Sequence, residues 1–233
     1  MTPEKRYEII CNMLYDYDRA TDNRAAEMVI KNPQEFAKAC FIPFYANAAQ
    51  LLIECTAAMD GKTTGKTKTS AVNRIYKECA KQCNRALHGM YETTENGKPI
   101  YFLCDGHMII GFYEDFTSIP RVNDADKMPE KNLVKYLAYE DAEKVFIDLP
   151  TTATIRAEKA TNTAKYGRKE KKPVHLAERI LVNPDTALNI MQALPNCKAW
   201  TNGKVNAPIY FEAENGKAML LPCRYYEAEA ATP

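Results

Sequence analysis

The sequence has no apolar run long enough to cross a bilayer, which takes about 20 consecutive apolar residues. Its opening, Met1-Thr-Pro-Glu-Lys-Arg6, lacks the apolar core of a signal peptide. Eight cysteines are present without one Cys-x-x-Cys pair. Gly-x-Ser-x-Gly, His-Glu-x-x-His and a Ser/His/Asp order are also missing, which removes the common hydrolase and metalloprotease signatures. The charge is almost balanced, at +1, so net charge names no partner. These absences give the expectation of a cytoplasmic protein with reduced thiols, no membrane association, no cofactor and no catalytic activity. The 233 residues, 46% hydrophobic and 26% charged, are enough for one or two domains with a sizeable core.

The distribution of charge is more informative than its sum. Residues 61–90 carry seven bases (Lys62, Lys66, Lys68, Arg74, Lys77, Lys81, Arg85) against one acid, Glu78. Residues 156–172 carry seven more (Arg156, Lys159, Lys165, Arg168, Lys169, Lys171, Lys172) against Glu158 and Glu170. Residues 113–150 are acidic, with nine acids against five bases. Two basic zones in a balanced chain suit a polyanion, although lysine-rich helices and loops are often simply solvated.

One four-residue word appears twice. Pro99-Ile-Tyr-Phe102 and Pro208-Ile-Tyr-Phe211 are identical, and each follows an Asn-Gly pair, Asn96-Gly97 and Asn202-Gly203. Each is followed by a second turn signal, Asp105-Gly106 or Asn215-Gly216, and then by an apolar strand. Alternation and two-residue Gly turns predict hairpins. Strands are expected at residues 90–94, 99–104, 107–112, 144–149, 197–200, 207–213 and 217–221, with another within 173–182. The ordered matches suggest an internal repeat in which each half ends as helix, strand, turn, strand, turn, strand. The fold class expected is α+β: two repeated units of antiparallel sheet with helices on one face, and a helix-rich N-terminal portion. The expected divisions are a first unit at 1–120, an acidic connector at 121–143 with a short helix at 130–139, a second domain at 144–225 and a loose tail at 226–233.

Helix signals precede the strands. Thr2 caps a helix with Pro3 at its first position, and Tyr7, Ile10, Met13, Leu14 and Tyr17 mark its apolar face to about Asp18. Shorter helices are expected at 24–30 and from Pro33, then a buried helix at 44–59 ended by Asp60-Gly61. Gly61-Lys-Thr-Thr-Gly-Lys-Thr67 is one residue short of a phosphate-binding loop and follows a helix instead of a strand, so it is expected to be a flexible basic loop. Residues 70–88 predict a helix with Val72, Ile75, Cys79, Cys83, Ala86 and Leu87 on one face and Arg74, Lys77, Lys81 and Arg85 on another. Such a helix packs one side on a sheet and offers cations on the other. Pro150-Thr-Thr152 starts a helix running to about Tyr166, and Asn183-Pro184-Asp185 caps one that ends before Pro195.

With these residues in place, the chain resembles the β sliding clamps of bacterial DNA polymerase III, which phages also carry. The resemblance covers about residues 149–225. Its parts are Pro208-Ile-Tyr-Phe211 with Asn215-Gly-Lys-Ala-Met-Leu-Leu-Pro-Cys-Arg224, which is similar to the clamp C-terminus, and Val182-Asn-Pro-Asp-Thr-Ala-Leu-Asn-Ile-Met-Gln-Ala-Leu194, which is similar to a clamp helix. Cys104-Asp-Gly-His-Met-Ile-Ile-Gly111 adds a third. Cys223 stands where clamps often have methionine, and the first ninety residues are richer in helix than a clamp domain.

The resemblance implies a homo-oligomeric processivity factor in DNA replication, with Arg74, Lys77, Lys81, Arg85, Arg156 and Lys159 on the phosphates of duplex DNA. It also implies that a DNA polymerase or another protein carrying a clamp-binding peptide docks near Met219, Leu221, Pro222 and Arg224. Two other readings stand beside it: a DNA- or protein-binding regulator, of phage or mobile-element origin, on a clamp-like scaffold, and an enzyme whose site leaves no motif in the sequence.

Other clusters have simpler readings. Cys79, Cys83, Cys104 and His107 offer the donors zinc accepts, yet Cys79 and Cys83 also fit the apolar stripe, so no metal is expected. Asp115, Asp124, Asp126 and Glu130 fit a solvated linker better than a metal site. His88 and His175 read as surface or capping groups, and Trp200 and the tyrosines as core and edge residues.

Overall fold

The computed structural model describes residues 1–60, 67–95, 97–123, 126–127, 144–167, 169–170, 172–204 and 206–224. The 130–139 helix, most of the 61–67 loop and of the acidic connector, and the tail from 225 lie outside the described residues. The chain forms two compact units, Met1–Thr64 with Pro150–Val174, and Gly65–Leu149 with His175–Pro233. These bounds differ from the expected divisions, because residues 150–174 join the first helices.

The first unit is helical: α1 (Pro3–Thr21), α2 (Ala26–Lys31), α3 (Pro33–Ala39), α4 (Pro43–Asp60) and α6 (Thr152–Tyr166). Thr2 caps α1 by accepting from Lys5 N at 3.3 Å, and Asp22 ends the helix in the left-handed region at φ 55°. Tyr7, Ile10, Cys11 and Leu14 of α1 pack with Val29, Tyr45, Ala49, Leu52, Met59, Ala153 and Ala160 in one core. Met13, expected on that face, is exposed instead. Asp18 fixes the entry to α2: one carboxylate oxygen accepts from Ala26 N at 2.8 Å and the other from the Tyr45 hydroxyl at 2.5 Å. Thr151 caps α6 through Thr154 N at 3.1 Å.

The second unit holds α5 (Thr67–Cys79), β1 (Tyr91–Glu95), β2 (Lys98–Cys104), β3 (Met108–Phe112), β4 (Val145–Ile147), β5 (Val174–Ala177), β6 (Ile180–Val182), α7 (Pro184–Ala193), β7 (Lys198–Thr201), β8 (Ile209–Ala213) and β9 (Gly216–Leu220). Every strand expected from the alternation is present, and 173–182 holds two. The fold class is α+β: a helix-rich N-terminal part followed by an antiparallel sheet with helices. The hairpins do not stand in separate sheets. Seven strands form one sheet in the order β1-β2-β3-β9-β8-β7-β4, and β5 with β6 forms a small second one. The joint is β3 against β9, with Ile110 opposite Ala218. All five residues of β3 are buried. Such a strand is satisfied only with neighbours on both edges and cover on both faces.

The predicted helix at 70–88 is shorter than expected. It stops at Cys79, and Asn84 then caps a 3-10 turn at Arg85–Leu87 by accepting from Ala86 N at 3.0 Å. An Asn side chain that bonds its own backbone two residues on competes with helix continuation. The His88 ring meets Gln82 O at 2.6 Å and holds the returning chain. Cys83 is therefore exposed, off the apolar stripe.

Opposite residues of a ladder share a face. On one face lie Phe102, Ile109, Met219 and Tyr210, packed with Leu87 and Val122. On the other lie Leu103, Ile110, Ala218 and Phe211. A Cβ on Gly216, which shares this second face, would come within 3.2 Å of Leu194 at the end of α7, so this is the face beneath the helices. α7 packs on α5. Among the described residues, no helix is long and apolar enough to cross a membrane.

Candidate nucleic-acid interface

The basic side chains singled out from the sequence fall into two groups, one in each unit. Arg74, Lys77, Lys81 and Arg85 belong to the sheet unit, and Arg156 and Lys159 to the helical unit. Arg74 faces outward on α5, but its guanidinium is engaged. Nε donates to Asn189 Oδ1 and Nη1 to Ser70 Oγ, each at 2.7 Å, while Nη2 donates to Gln192 Oε1. Asn189 and Gln192 lie on α7, so Arg74 ties the two helices and satisfies the amide oxygen of a Gln192 that is only 9% exposed. A buried polar group without a partner costs about 1–3 kcal/mol, which makes this arginine part of the scaffold.

Lys77 is exposed in the last turn of α5, where a cation also complements the helix dipole. It has no ion pair among the described residues. Lys81 is exposed and reaches Glu78 at 2.6 Å, a surface pair of small energetic value. Arg85 projects from the 3-10 turn, exposed. Lys77, Lys81 and Arg85 are thus three exposed cations spread from the last turn of α5 to the 3-10 turn that follows it. α7 adds no base, and its one charged residue is Asp185.

Arg156 is occupied within the helical unit: Nη1 donates to Met59 O at 3.0 Å and lies 4.0 Å from Glu4, with the side chain 15% exposed. Lys159 is half-buried on the same helix. Lys165 pairs with Glu27, whose carboxyl is held below its usual range first by that hydrogen bond.

The residues assigned to partner peptides separate in the same way. Met219 belongs to the core beside Ile109 and Tyr210. Leu221, 40% exposed, and the half-buried Pro222 form the apolar surface, and Arg224 is exposed. The backbone holds this stretch: Leu221 N donates to His107 O and Cys223 N to Leu181 O, both at 2.8 Å.

Cys79, Cys83, Cys104 and His107 do not assemble. Cys79 and Cys104 are buried, Cys83 is exposed past the helix end, and no group of three metal-binding side chains forms among the described residues. Burial is the chief cause that pushes the Cys79 and Cys104 thiols up, which disfavours thiolates. Asp115 is paired with Arg121 at 2.7 Å.

One feature had no signal in the sequence. A cleft of about 380 Å³ in the helical unit is lined by Tyr15, Asp18, Arg19, Asp22, Asn23, Ala164 and Lys165. The Tyr15 hydroxyl is buried there without a partner among the described residues, and burial pushes its pKa up to about 12. Its walls come from chain positions some 150 residues apart, beyond the reach of any local motif. Searches of protein-family models, of curated proteins and of solved structures find no significant match to this chain.

Proposed function

We propose that this chain is a non-catalytic, clamp-like DNA-binding protein that holds duplex DNA by its phosphates without reading bases. The observation that carries the reading is the exposure of Lys77, Lys81 and Arg85 over the end of α5 and the 3-10 turn after it, where the apolar face of α5 is buried. Exposed cations close together in sequence suit a phosphate backbone, which is held by charge without base contacts. In the finer form of this reading, each helix followed by three strands, α5 with β1–β3 and α7 with β7–β9, is one clamp-like half. The strand order, with the two sets meeting at β3 and β9, supports it. Leu221, Pro222 and Arg224 then receive a polymerase or another clamp-binding peptide, and the setting is DNA replication, with a phage origin.

The test is fluorescence anisotropy of duplexes of unrelated sequence, titrated at several salt concentrations. Similar affinities that fall with salt are expected. Lys77→Glu with Arg85→Glu should remove about two phosphate contacts and flatten the log–log salt slope by about 2. An unchanged slope in the double variant, or no binding even at low salt, sinks the reading.

A second reading has its own support. α7 presents no cation, which halves the positive surface a clamp-like helix pair would offer, and this favours a regulator that binds one defined sequence or protein. Anisotropy that separates one duplex from the others by a hundredfold or more would select it.

A further inference from the structure

The sheet has two ends, and they are finished differently. At one end, β1 carries Glu92 and Glu95, and Arg121 lies beside it through a bridge to Met90. Arg121 also pairs with Glu92 at 3.7 Å and covers the Tyr101 ring at 4.9 Å. Charge of this kind guards an edge against pairing with other chains.

At the other end stands β4, which pairs with β7 alone among the described residues. Val145 is 46% exposed and Phe146 65% exposed. Phe146 extends an aromatic row: its ring lies 6.3 Å from Trp200, which stacks on Tyr210 at 6.2 Å. Among the described residues this is an uncovered apolar edge next to an aromatic row; such an edge is a pairing surface, and the residues around it specify the partner.

We infer that β4 pairs with β4 of a second copy of this chain, antiparallel, about a two-fold axis through Phe146. The segment Lys144-Val145-Phe146-Ile147-Asp148 is complementary to itself when reversed. In that register Lys144 faces the partner's Asp148, Val145 faces the partner's Ile147, and Phe146 faces the partner's Phe146. By symmetry each heterogeneous pair occurs twice. All five residues have the residue types that stabilise cross-strand contacts: opposite charges, β-branched pairs and an aromatic pair. Lys144 and Asp148 lie on the Phe146 face by alternation, so the charges flank the aromatic contact. Lys144 Nζ sits 4.5 Å from the centre of the Trp200 ring, which places this cation over the same aromatic row. Both charged residues are exposed, and Asp148 has no hydrogen bond or ion pair among the described residues. Parallel pairing would set Lys144 against Lys144 and Asp148 against Asp148, which like-charge repulsion opposes. The product is one sheet of fourteen strands, closed by symmetry, with the row Tyr210, Trp200, Phe146 continued into its mirror order in the second copy. This inference does not rest on the DNA reading. It does exclude a cyclic trimer built through this edge.

The contact is short, so association is concentration-dependent and on the weak side. Sedimentation velocity of the full chain over a wide concentration range should show a monomer–dimer equilibrium with nothing larger. Phe146→Asp, at an exposed position, should weaken it by about a hundredfold while the circular dichroism spectrum is unchanged. Lys144→Asp and Asp148→Lys should each weaken self-association by about tenfold, because two attractive pairs become two repulsive ones.

Mixing those two single variants is the sharpest arm. One chain then carries acids at both flanking positions and the other carries bases at both, so every facing pair across the axis is of opposite charge. The mixture should associate better than either variant alone. The double swap should self-associate within about threefold of the unmodified chain, since roughly 0.6 kcal/mol separates threefold affinities. A monomer at every concentration, oligomers that grow without limit, a dimer indifferent to Phe146→Asp, or a mixture no better than its components would each overturn the proposal.

Discussion

In β2, Ile100 and Phe102 turn toward Leu87, Val122 and Met219. In β8, the same word turns Ile209 and Phe211 to the face beneath α7, and it is Tyr210 that joins Met219. Both copies bury isoleucine and phenylalanine and leave tyrosine half-buried, yet they do so on opposite sides of one sheet. The word therefore specifies a strand and its alternation but not which face looks where. That choice is made in the seam, where Ile110 meets Ala218 and Gly111 meets Lys217. A slip of one residue there would bring Phe102 and Phe211 to the same face and expose half of each hairpin. Two strands related by a two-fold axis normal to the sheet keep equivalent residues on one face. Phe102 and Phe211 are thus not equivalent in space, whatever the relation between the hairpins.

The comparison can be broken at several places. Phe102→Ala and Phe211→Ala should each cost about 3–5 kcal/mol in urea unfolding, since both rings are fully buried. Their couplings should differ. Leu87→Ala should couple with Phe102→Ala by about 0.5–3 kcal/mol and add simply with Phe211→Ala; equal couplings would mean that the two rings share a face after all.

The seam comes next. A Cβ on Gly216 would lie 2.2 Å from Gly111 O, a backbone atom, whereas one on Gly111 would meet the Phe102 ring at 2.7 Å. Gly216→Ala should lose about 3 kcal/mol and Gly111→Ala less, because a ring can move and a paired strand cannot. The reverse order in thermal melts would place the seam in another register.

Lys217 gives the smallest effect. It pairs with Glu95 of β1 across the boundary between the halves, with both side chains mostly buried. Lys217→Met should cost about 1–3 kcal/mol by leaving that carboxylate without its cation. Glu95→Gln in the same background should recover part of the loss, and no recovery would show that the pair does not form.

Much of this was legible because the signals are local. Thr2 and Asn183 cap the helices they were expected to cap, and the helix expected to start at Pro150-Thr-Thr152 does so with Thr151 as its cap, since capping involves residues two or three apart. The hairpins followed from alternation and Gly turns, with Gly97 and Gly203 at positive φ. What was not legible is long-range. Nothing near β3 says that its second neighbour is β9, and nothing near Pro150 says that α6 belongs with α1 and α4. The candidate site shows the same limit. Arg74 and Arg156 looked like free cations beside their neighbours in sequence. Their partners, Asn189, Gln192 and Met59, lie about a hundred positions away. The early end of α5 does have a local signal, because Asn84 is a turn-former inside a stretch that otherwise reads as helix.

The two compact units are each interrupted by the other along the chain, and this has a consequence for biosynthesis. α1 to α4 emerge from the ribosome first but lack α6 until residue 166 has been made. By then β3 has β2 on one edge and has been waiting with the other edge to fill, since its second neighbour is more than a hundred residues downstream. At roughly 5–20 residues per second this is an interval of several seconds or more, during which a wholly apolar strand lacks its second partner. A chain wired in this order is exposed to premature pairing throughout its own synthesis, and its yield should depend on chaperone capacity more steeply than that of a protein whose units are completed one after the other.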